Sequence, residues 1–273
     1  MDWGMRNRIA RMFPGGPSGN TVMLAVDHGY FMGPTRHLED ARATIAPLLS
    51  LADAVALTRG ILRTSVPPTS TTPIVLRVSG GATVLKEDLS HETLTTAMRD
   101  AARLNVSAVA LSVFVGAPHE HESLVHLSDL VDQGESLGIP VMSITAVGKE
   151  LEKRDARYLA LACRVSAELG AHLVKTYYCD GFEKVVEGCP VPIVVAGGPK
   201  LNSETDVFQL AYNAIREGAV GVDMGRNIWQ NDNPVAMIKG IRAVVHENAT
   251  VREATQLFNE NRSPRTVESS IQA

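Results

Sequence analysis

The sequence predicts a single closed α/β barrel of the (β/α)8, or TIM-barrel, type. Three observations carry this: eight short apolar runs, helical patterns between most of them, and a length of 273 residues, which suits one such barrel. Apolar, β-branched runs bounded by turn residues are how strands buried on both faces read. The runs are Val22 to Gly29, Ala52 to Gly60, Pro73 to Gly80, Val106 to Gly116, Pro140 to Gly148, Ala171 to Tyr178, Val191 to Gly198 and Val220 to Gly225. Most run into glycine, which suits loops that approach a ligand closely.

The intervening helices are expected at Glu39 to Leu51, Ser90 to Leu104, His119 to Leu137, Glu150 to Leu169, Phe182 to Glu187, Ser203 to Glu217 and Pro234 to His246. The connections between runs two and three and between six and seven leave room only for a turn or a short helix. An open doubly wound sheet is the competing architecture. It calls for G-x-G-x-x-G after the first strand and a ribose-binding acid beyond it, and the sequence supplies neither. Residues 1–258 are read as the barrel with an N-terminal extension, and 259–273 as a polar tail, either mobile or ordered against another subunit. The stretch PGGPSGN, Pro14 to Asn20, is a loop feeding the first strand.

Composition narrows the function. With 45% hydrophobic residues and a net charge of −4, the chain can bury a large core but offers no broad basic face, so nucleic acid is not an expected partner. A small anionic substrate remains allowed. Cys163, Cys179 and Cys189 are odd in number and lack metal-ligand spacing, which argues against a disulfide framework or a metal site and for a reducing cytoplasm. The first residues interleave Arg6, Arg8 and Arg11 with apolar side chains and form neither a signal h-region nor a membrane span. No membrane association is expected.

Barrel active sites lie at the C-terminal ends of the strands, so polar residues there are the candidates. Lys175 directly follows Leu173 and Val174, in a strand enclosed on both faces. Such surroundings disfavour the ammonium form and free the amine to attack a carbonyl; the alternative is a barrel lysine paired with an acid such as Asp27 or Asp223. Gly197 and Gly198 after the seventh run, with Gly225 and Arg226 after the eighth, stand where barrels build phosphate sites from backbone N–H groups and a helix N-terminus. Arg226 adds a guanidinium, and Arg59 closes the second run as a further anion contact. Asp27 and His28 can move protons or stabilise an iminium, although His28 reads equally well as structural. His119, His121 and His126 lack a metalloprotease arrangement and read as a solvated helix start.

The segments VMLAVDHGYFMGPT, TRGILRTSVPP, VKTYY and GVDMGRNIW, together with Asp2-Trp3-Gly4-Met5, resemble the class I aldolase family of the archaeal fructose-bisphosphate aldolase type. The resemblance runs to about Leu257 and implies a further N-terminal arm ahead of Met1. It is strongest to the thiolase branch, which uses coenzyme A to cleave a phosphorylated dione in the breakdown of the autoinducer-2 quorum-sensing signal. The resemblance implies Lys175 as the Schiff-base lysine, Asp27 as the acid after the first strand, and Gly197, Gly198, Gly225 and Arg226 as the phosphate contacts. It also implies a cytoplasmic homo-oligomeric ring, for which a decamer is one form, with coenzyme A as co-substrate and no bound cofactor. Where the aldolases carry Tyr-Pro-Arg-Gly at the end of the fifth strand, this chain has Thr145-Ala146-Val147-Gly148. The proton-transfer tyrosine is thus missing, which points away from aldol cleavage and toward acyl transfer. Lys149, Arg59 and Lys200 are candidate contacts for the coenzyme phosphates, although Lys149 and Lys200 read better as solvated surface lysines. Aldolases and related carbon–carbon synthases are the competing enzymes, and a non-catalytic sugar-phosphate sensor is the competing binding protein.

Overall fold

Alternation along eight strands decides which side chains reach the site. The computed structural model describes residues 1–14, 19–146 and 155–262. Its strands are β1 (Thr21–Ala25), β2 (Ala54–Thr58), β3 (Ile74–Arg77), β4 (Ser79–Gly80), β5 (Thr93–Leu94), β6 (Ala108–Val113), β7 (Val141–Thr145), β8 (Leu173–Tyr177), β9 (Ile193–Ala196) and β10 (Gly221–Met224). All but β4 and β5 form a closed parallel ring in the order β1-β10-β9-β8-β7-β6-β3-β2. Side chains alternate across each strand. One set, including Met23, Ala54, Ala56, Val75, Ala108, Ala110, Met142, Leu173 and Val194, packs together as the barrel interior. The intervening set, including Val22, Leu24, Val55, Leu57, Leu76 and Val109, packs outward against the helices. Each fully buried Leu, Met or Val contributes roughly 1.5–3 kcal/mol relative to exposure, so this two-sided burial outweighs any single polar contact.

The same parity governs the upper rim. Arg77, Ser112, Ile144 and Lys175 each lie two residues beyond an inward-facing side chain, and so they crown the packed interior. The lower end is closed by α1 (Trp3–Met12), capped by the Asp2 carboxylate accepting from the Met5 amide; its Met12 and Phe13 join the interior cluster. Asp53 pins the bottom by accepting from Arg242, His246 and the Val22 amide at 2.7–2.8 Å.

The outer helices are α2 (Gly29–Met32), α3 (Ala41–Ile45), α4 (Arg59–Ser65), α5 (Met98–Arg103), α6 (Glu120–Leu137), α7 (Ala156–Glu168), α8 (Glu183–Glu187), α9 (Glu204–Arg216), α10 (Arg226–Trp229), α11 (Pro234–Glu247) and α12 (Val251–Asn261). The short α4 and α8 occupy the two connections expected to lack a full helix. Three expectations need correction. The segment Glu39 to Leu51 splits into α3 and a 3-10 turn at Leu49–Leu51, because Pro47 has no N–H to donate. The segment Ser90 to Leu104 is helical only from Met98, because Thr93–Leu94 returns as a strand against Ser79–Gly80. The barrel boundary at residue 258 falls inside α12, whose capping box on Thr250 and Glu253 starts a helix that continues to Asn261. The expectations for Gly15 to Ser18, for Val147, Gly148 and Lys149, for the start of the helix from Glu150 and for the tail from Ser263 fall outside the described residues. Among the described residues no helix is long and apolar enough to cross a membrane.

Candidate active site

The rim encloses a cavity of about 160 Å³ at the C-terminal ends of the strands. Seven of the eight residues singled out from the sequence line it: Asp27, His28, Lys175, Gly197, Gly198, Gly225 and Arg226. Arg59 does not. The chain leaves β2 at Thr58, whose side chain caps α4, and Arg59 turns outward to Asp100 at 2.8 Å. Lys200 also lies outside the cavity, in a separate surface depression with Arg36 and Asn231.

Lys175 is 8% exposed, and its Nζ donates to Asp223 Oδ2 at 2.7 Å. Burial pushes the Asp223 carboxyl above its ordinary range despite the opposing charge of Lys175, because desolvation disfavours the anion. Asp223 Oδ1 is buried without a hydrogen-bond partner among the described residues. Asp27 behaves oppositely: burial would raise it, but the charges of Lys175 and Arg77 chiefly hold its carboxyl below the usual value. The two acids facing the lysine are therefore pushed apart, one toward holding a proton and one toward releasing it. His28 is pushed down to about 4 by burial, with Lys175, Arg226 and Arg77 adding to the effect against Asp27. Its Nδ1 stands 3.7 Å from Asp27 Oδ1, and its ring meets Trp229 edge-on at 5.6 Å. Neutral imidazole is the form this site holds near pH 7.

The glycine wall is built by Asn227. Its amide nitrogen donates to Gly197 O at 2.7 Å and Pro199 O at 3.2 Å, and its oxygen accepts from Leu201 N at 2.8 Å. This clamps the loop after β9 against the loop after β10. Gly198 takes φ +66°, a left-handed conformation that glycine adopts without strain. A Cβ on Gly225 would stand 2.5 Å from Ala25 O and 2.7 Å from His28 Cε1, so only glycine lets the backbone pass there. Arg226 Nη2 donates to Gly198 O at 3.1 Å, which holds the guanidinium over the same wall. The helix behind it, α10, is a single turn of four residues.

The opposite wall was not anticipated. Arg77 is 6% exposed and bonds Glu92 Oε2 at 3.0 Å, Ser79 O at 3.2 Å, Asp27 Oδ2 at 3.4 Å, and the Tyr30 and Ser112 hydroxyls. A cation closing the apolar run PIVLRVSG carries the same signal that singled out Lys175. Glu92 gives none in the sequence, because only the β4–β5 hairpin brings it inward. At the end of β7, Thr145 Oγ1 donates to Thr176 Oγ1 at 2.7 Å, and both residues line the cavity.

Known proteins resemble this chain in sequence and in fold. The chain is 53% identical over 260 residues to the 3-hydroxy-5-phosphonooxypentane-2,4-dione thiolase of Yersinia pseudotuberculosis, covering 94% of this chain and 88% of that protein. It is 52% identical over 264 residues to the protein of that name from Salmonella typhimurium, covering 96% and 89%. Its fold resembles an archaeal fructose 1,6-bisphosphate aldolase, with a TM-score of 0.79, 24% identity and coverage of 89% and 99%. It likewise resembles the fructose-bisphosphate aldolase of Slackia heliotrinireducens, with a TM-score of 0.82, 18% identity and coverage of 96% and 91%. Residues 21–231 match the family described as DeoC/LacD family aldolase, and the chain belongs to that family.

Proposed function

We propose that this chain is an acyltransferase, a thiolase that cleaves 3-hydroxy-5-phosphonooxypentane-2,4-dione with coenzyme A to acetyl-CoA and dihydroxyacetone phosphate. The reaction would serve the breakdown of the phosphorylated autoinducer-2 signal, in the cytoplasm and on a homo-oligomer. One observation carries the chemistry: the Lys175 amine sits 2.7 Å from Asp223 in a cavity that also presents Gly197, Gly198, Gly225 and Arg226. The similarity to thiolases of that substrate, half identical in sequence, supports the substrate.

The residues divide the work as follows. The substrate phosphate lies on the glycine wall under Arg226, where backbone N–H groups and a guanidinium meet an anion. This places the C4 carbonyl at Lys175. Asp223 takes the lysine proton and the amine adds to C4; one proton then shifts from the added nitrogen to the carbinolamine oxygen and Asp223 returns the other, so that the oxygen leaves as water and yields an iminium. The Asp27 anion stabilises that cation. A thiolate from coenzyme A then adds to C2, and the C2–C3 bond breaks. Its electron pair flows into the iminium to give an enamine, while acetyl-CoA departs. Protonation at C3 and hydrolysis of the imine release dihydroxyacetone phosphate and restore Lys175. No substrate hydroxyl is deprotonated in this sequence, so the Thr145-Ala146 segment replaces the aldolase tyrosine without loss.

The test is borohydride reduction of the wild-type protein with the dione present, followed by peptide mass mapping. The reading expects a reduced adduct on Lys175. An adduct elsewhere, or none, contradicts it.

A further inference from the structure

Around the ring of eight, β3 stands four strands from β9 in either direction. Arg77, at the end of β3, therefore faces the Gly197-Gly198 wall across the mouth, with Lys175 on β8 beside that wall. Given the thiolase reading, on which this inference rests, the dione has a direction. Its phosphate-bearing carbon lies at the glycine wall and C4 lies at Lys175, so C3 and the acetyl C2 extend toward Arg77.

The guanidinium there is fixed and still has capacity. Nε and Nη2 are taken up by Ser79 O, Glu92 and the Tyr30 and Ser112 hydroxyls, whereas among the described residues Nη1 carries only a long contact of 3.4 Å to Asp27. The Arg77 carbon also lies 4.3 Å from the Tyr30 ring centroid. Glu92 is held in turn by the Ser79 hydroxyl at 2.7 Å, and Ser79 Oγ accepts from the Ser112 amide at 3.0 Å. An arginine needed only to neutralise Asp27 would not require this many partners on its far edge. A cation that must hold one N–H corner still while charge develops in front of it would.

We propose that Arg77 is a catalytic residue of the acyl-transfer step, with Nη1 binding the C2 carbonyl oxygen and stabilising the oxyanion formed there. When the thiolate sulfur bonds to C2, the carbonyl π pair moves onto oxygen as a negative charge facing the guanidinium. When the C2–C3 pair departs into the iminium, that charge returns to re-form the carbonyl of acetyl-CoA. Glu92 is a positioning residue that holds the guanidinium. Schiff-base formation at C4 depends on Arg77 only indirectly, through the charge that helps hold Asp27 ionised.

The test compares two readouts in Arg77→Gln and Arg77→Lys: acetyl-CoA formation from the dione and coenzyme A, and borohydride trapping of dihydroxyacetone phosphate on Lys175. The second ligand ends at C3 and lacks the acetyl C2 whose oxygen the proposal assigns to Arg77. The proposal expects acetyl-CoA turnover to fall by about 10²–10³-fold in Arg77→Gln, the loss typical of one oxyanion donor, while trapping falls by less than about tenfold, the part that passes through Asp27. In Arg77→Lys, which keeps the charge beside Asp27, trapping stays at the wild-type level. Free guanidinium ion should restore part of that turnover. Wild-type turnover in either variant, or equal loss of turnover and trapping, overturns it. If Arg77→Gln does not fold, Arg77→Lys decides, since it keeps the charge that Glu92 requires but not the fork; at least a tenfold loss with intact trapping is expected. A wild-type protein that forms no acetyl-CoA refutes the thiolase reading itself, whereas activity in both wild type and variants refutes only the role of Arg77.

Discussion

Lys175 gives its ammonium to one oxygen of Asp223 at 2.7 Å, while the other oxygen of that carboxylate is buried without a partner among the described residues. The pair is thus strong at one contact and incompletely solvated at the other, an arrangement that favours function over stability. Lys175→Met should abolish adduct formation and cost roughly 3–5 kcal/mol, because it strands a buried acid. Lys175→Met with Asp223→Leu should recover most of that stability without recovering activity. Urea unfolding of the wild type, both single variants and the double variant checks this, and simply additive losses would count against coupling of the pair.

Arg226 is predicted to act on binding. Arg226→Ala should raise KM for the phosphorylated dione by about tenfold to a hundredfold, the equivalent of a lost charge-assisted contact of about 1.5–3 kcal/mol, with kcat little changed. Steady-state kinetics separate the two constants. An unchanged KM would reduce Arg226 to its bond with Gly198 O.

Lys175 was legible in the sequence because a cation inside an apolar strand has no bland place to go, and the glycine pairs were legible because they follow countable strands. Arg77 carried the same kind of signal at the end of the third run. Tyr30 and Glu92 did not: one enters through the one-turn helix α2, and the other arrives on a hairpin that a helical pattern had covered. Arg59 misled in the opposite way, because a residue just past a strand can belong to the next helix, where Thr58 caps α4 and the side chain leaves the mouth. Burial parity therefore locates the inward side chains, while loop excursions that add partners to the rim follow from tertiary pairing alone.

His28 provides a pH prediction. Its folded-state value is pushed down to about 4, below the ordinary imidazole value of about 6.5, so between those values the unfolded chain binds a proton that the folded chain does not. Stability is lost as pH falls from about 6.5 toward 4, and nothing changes above that window. His28→Gln should lessen the loss between pH 7 and pH 4.5 by about 2–3 kcal/mol, as measured by urea unfolding at both values. Equal losses in the two proteins would mean that the imidazole protonates freely in place.

The departure at Thr145-Ala146 predicts what the enzyme does not do. Without a phenol at the end of β7, where a positioned acid or base typically contributes about 10²–10⁴-fold to proton transfer, cleavage of fructose 1,6-bisphosphate should be negligible. A coupled assay for triose phosphates checks this; an ordinary enzymatic rate would assign the missing proton transfer to Tyr30, Tyr177 or His28, which all line the cavity.

The central claim is acyl transfer to a thiol, and one measurement reaches it directly: the wild-type protein with 3-hydroxy-5-phosphonooxypentane-2,4-dione, with and without coenzyme A, followed by mass spectrometry of the products. The account predicts acetyl-CoA and dihydroxyacetone phosphate in equal amounts, both dependent on coenzyme A. Release of dihydroxyacetone phosphate at the same rate without coenzyme A, or no consumption of the dione at all, would contradict it.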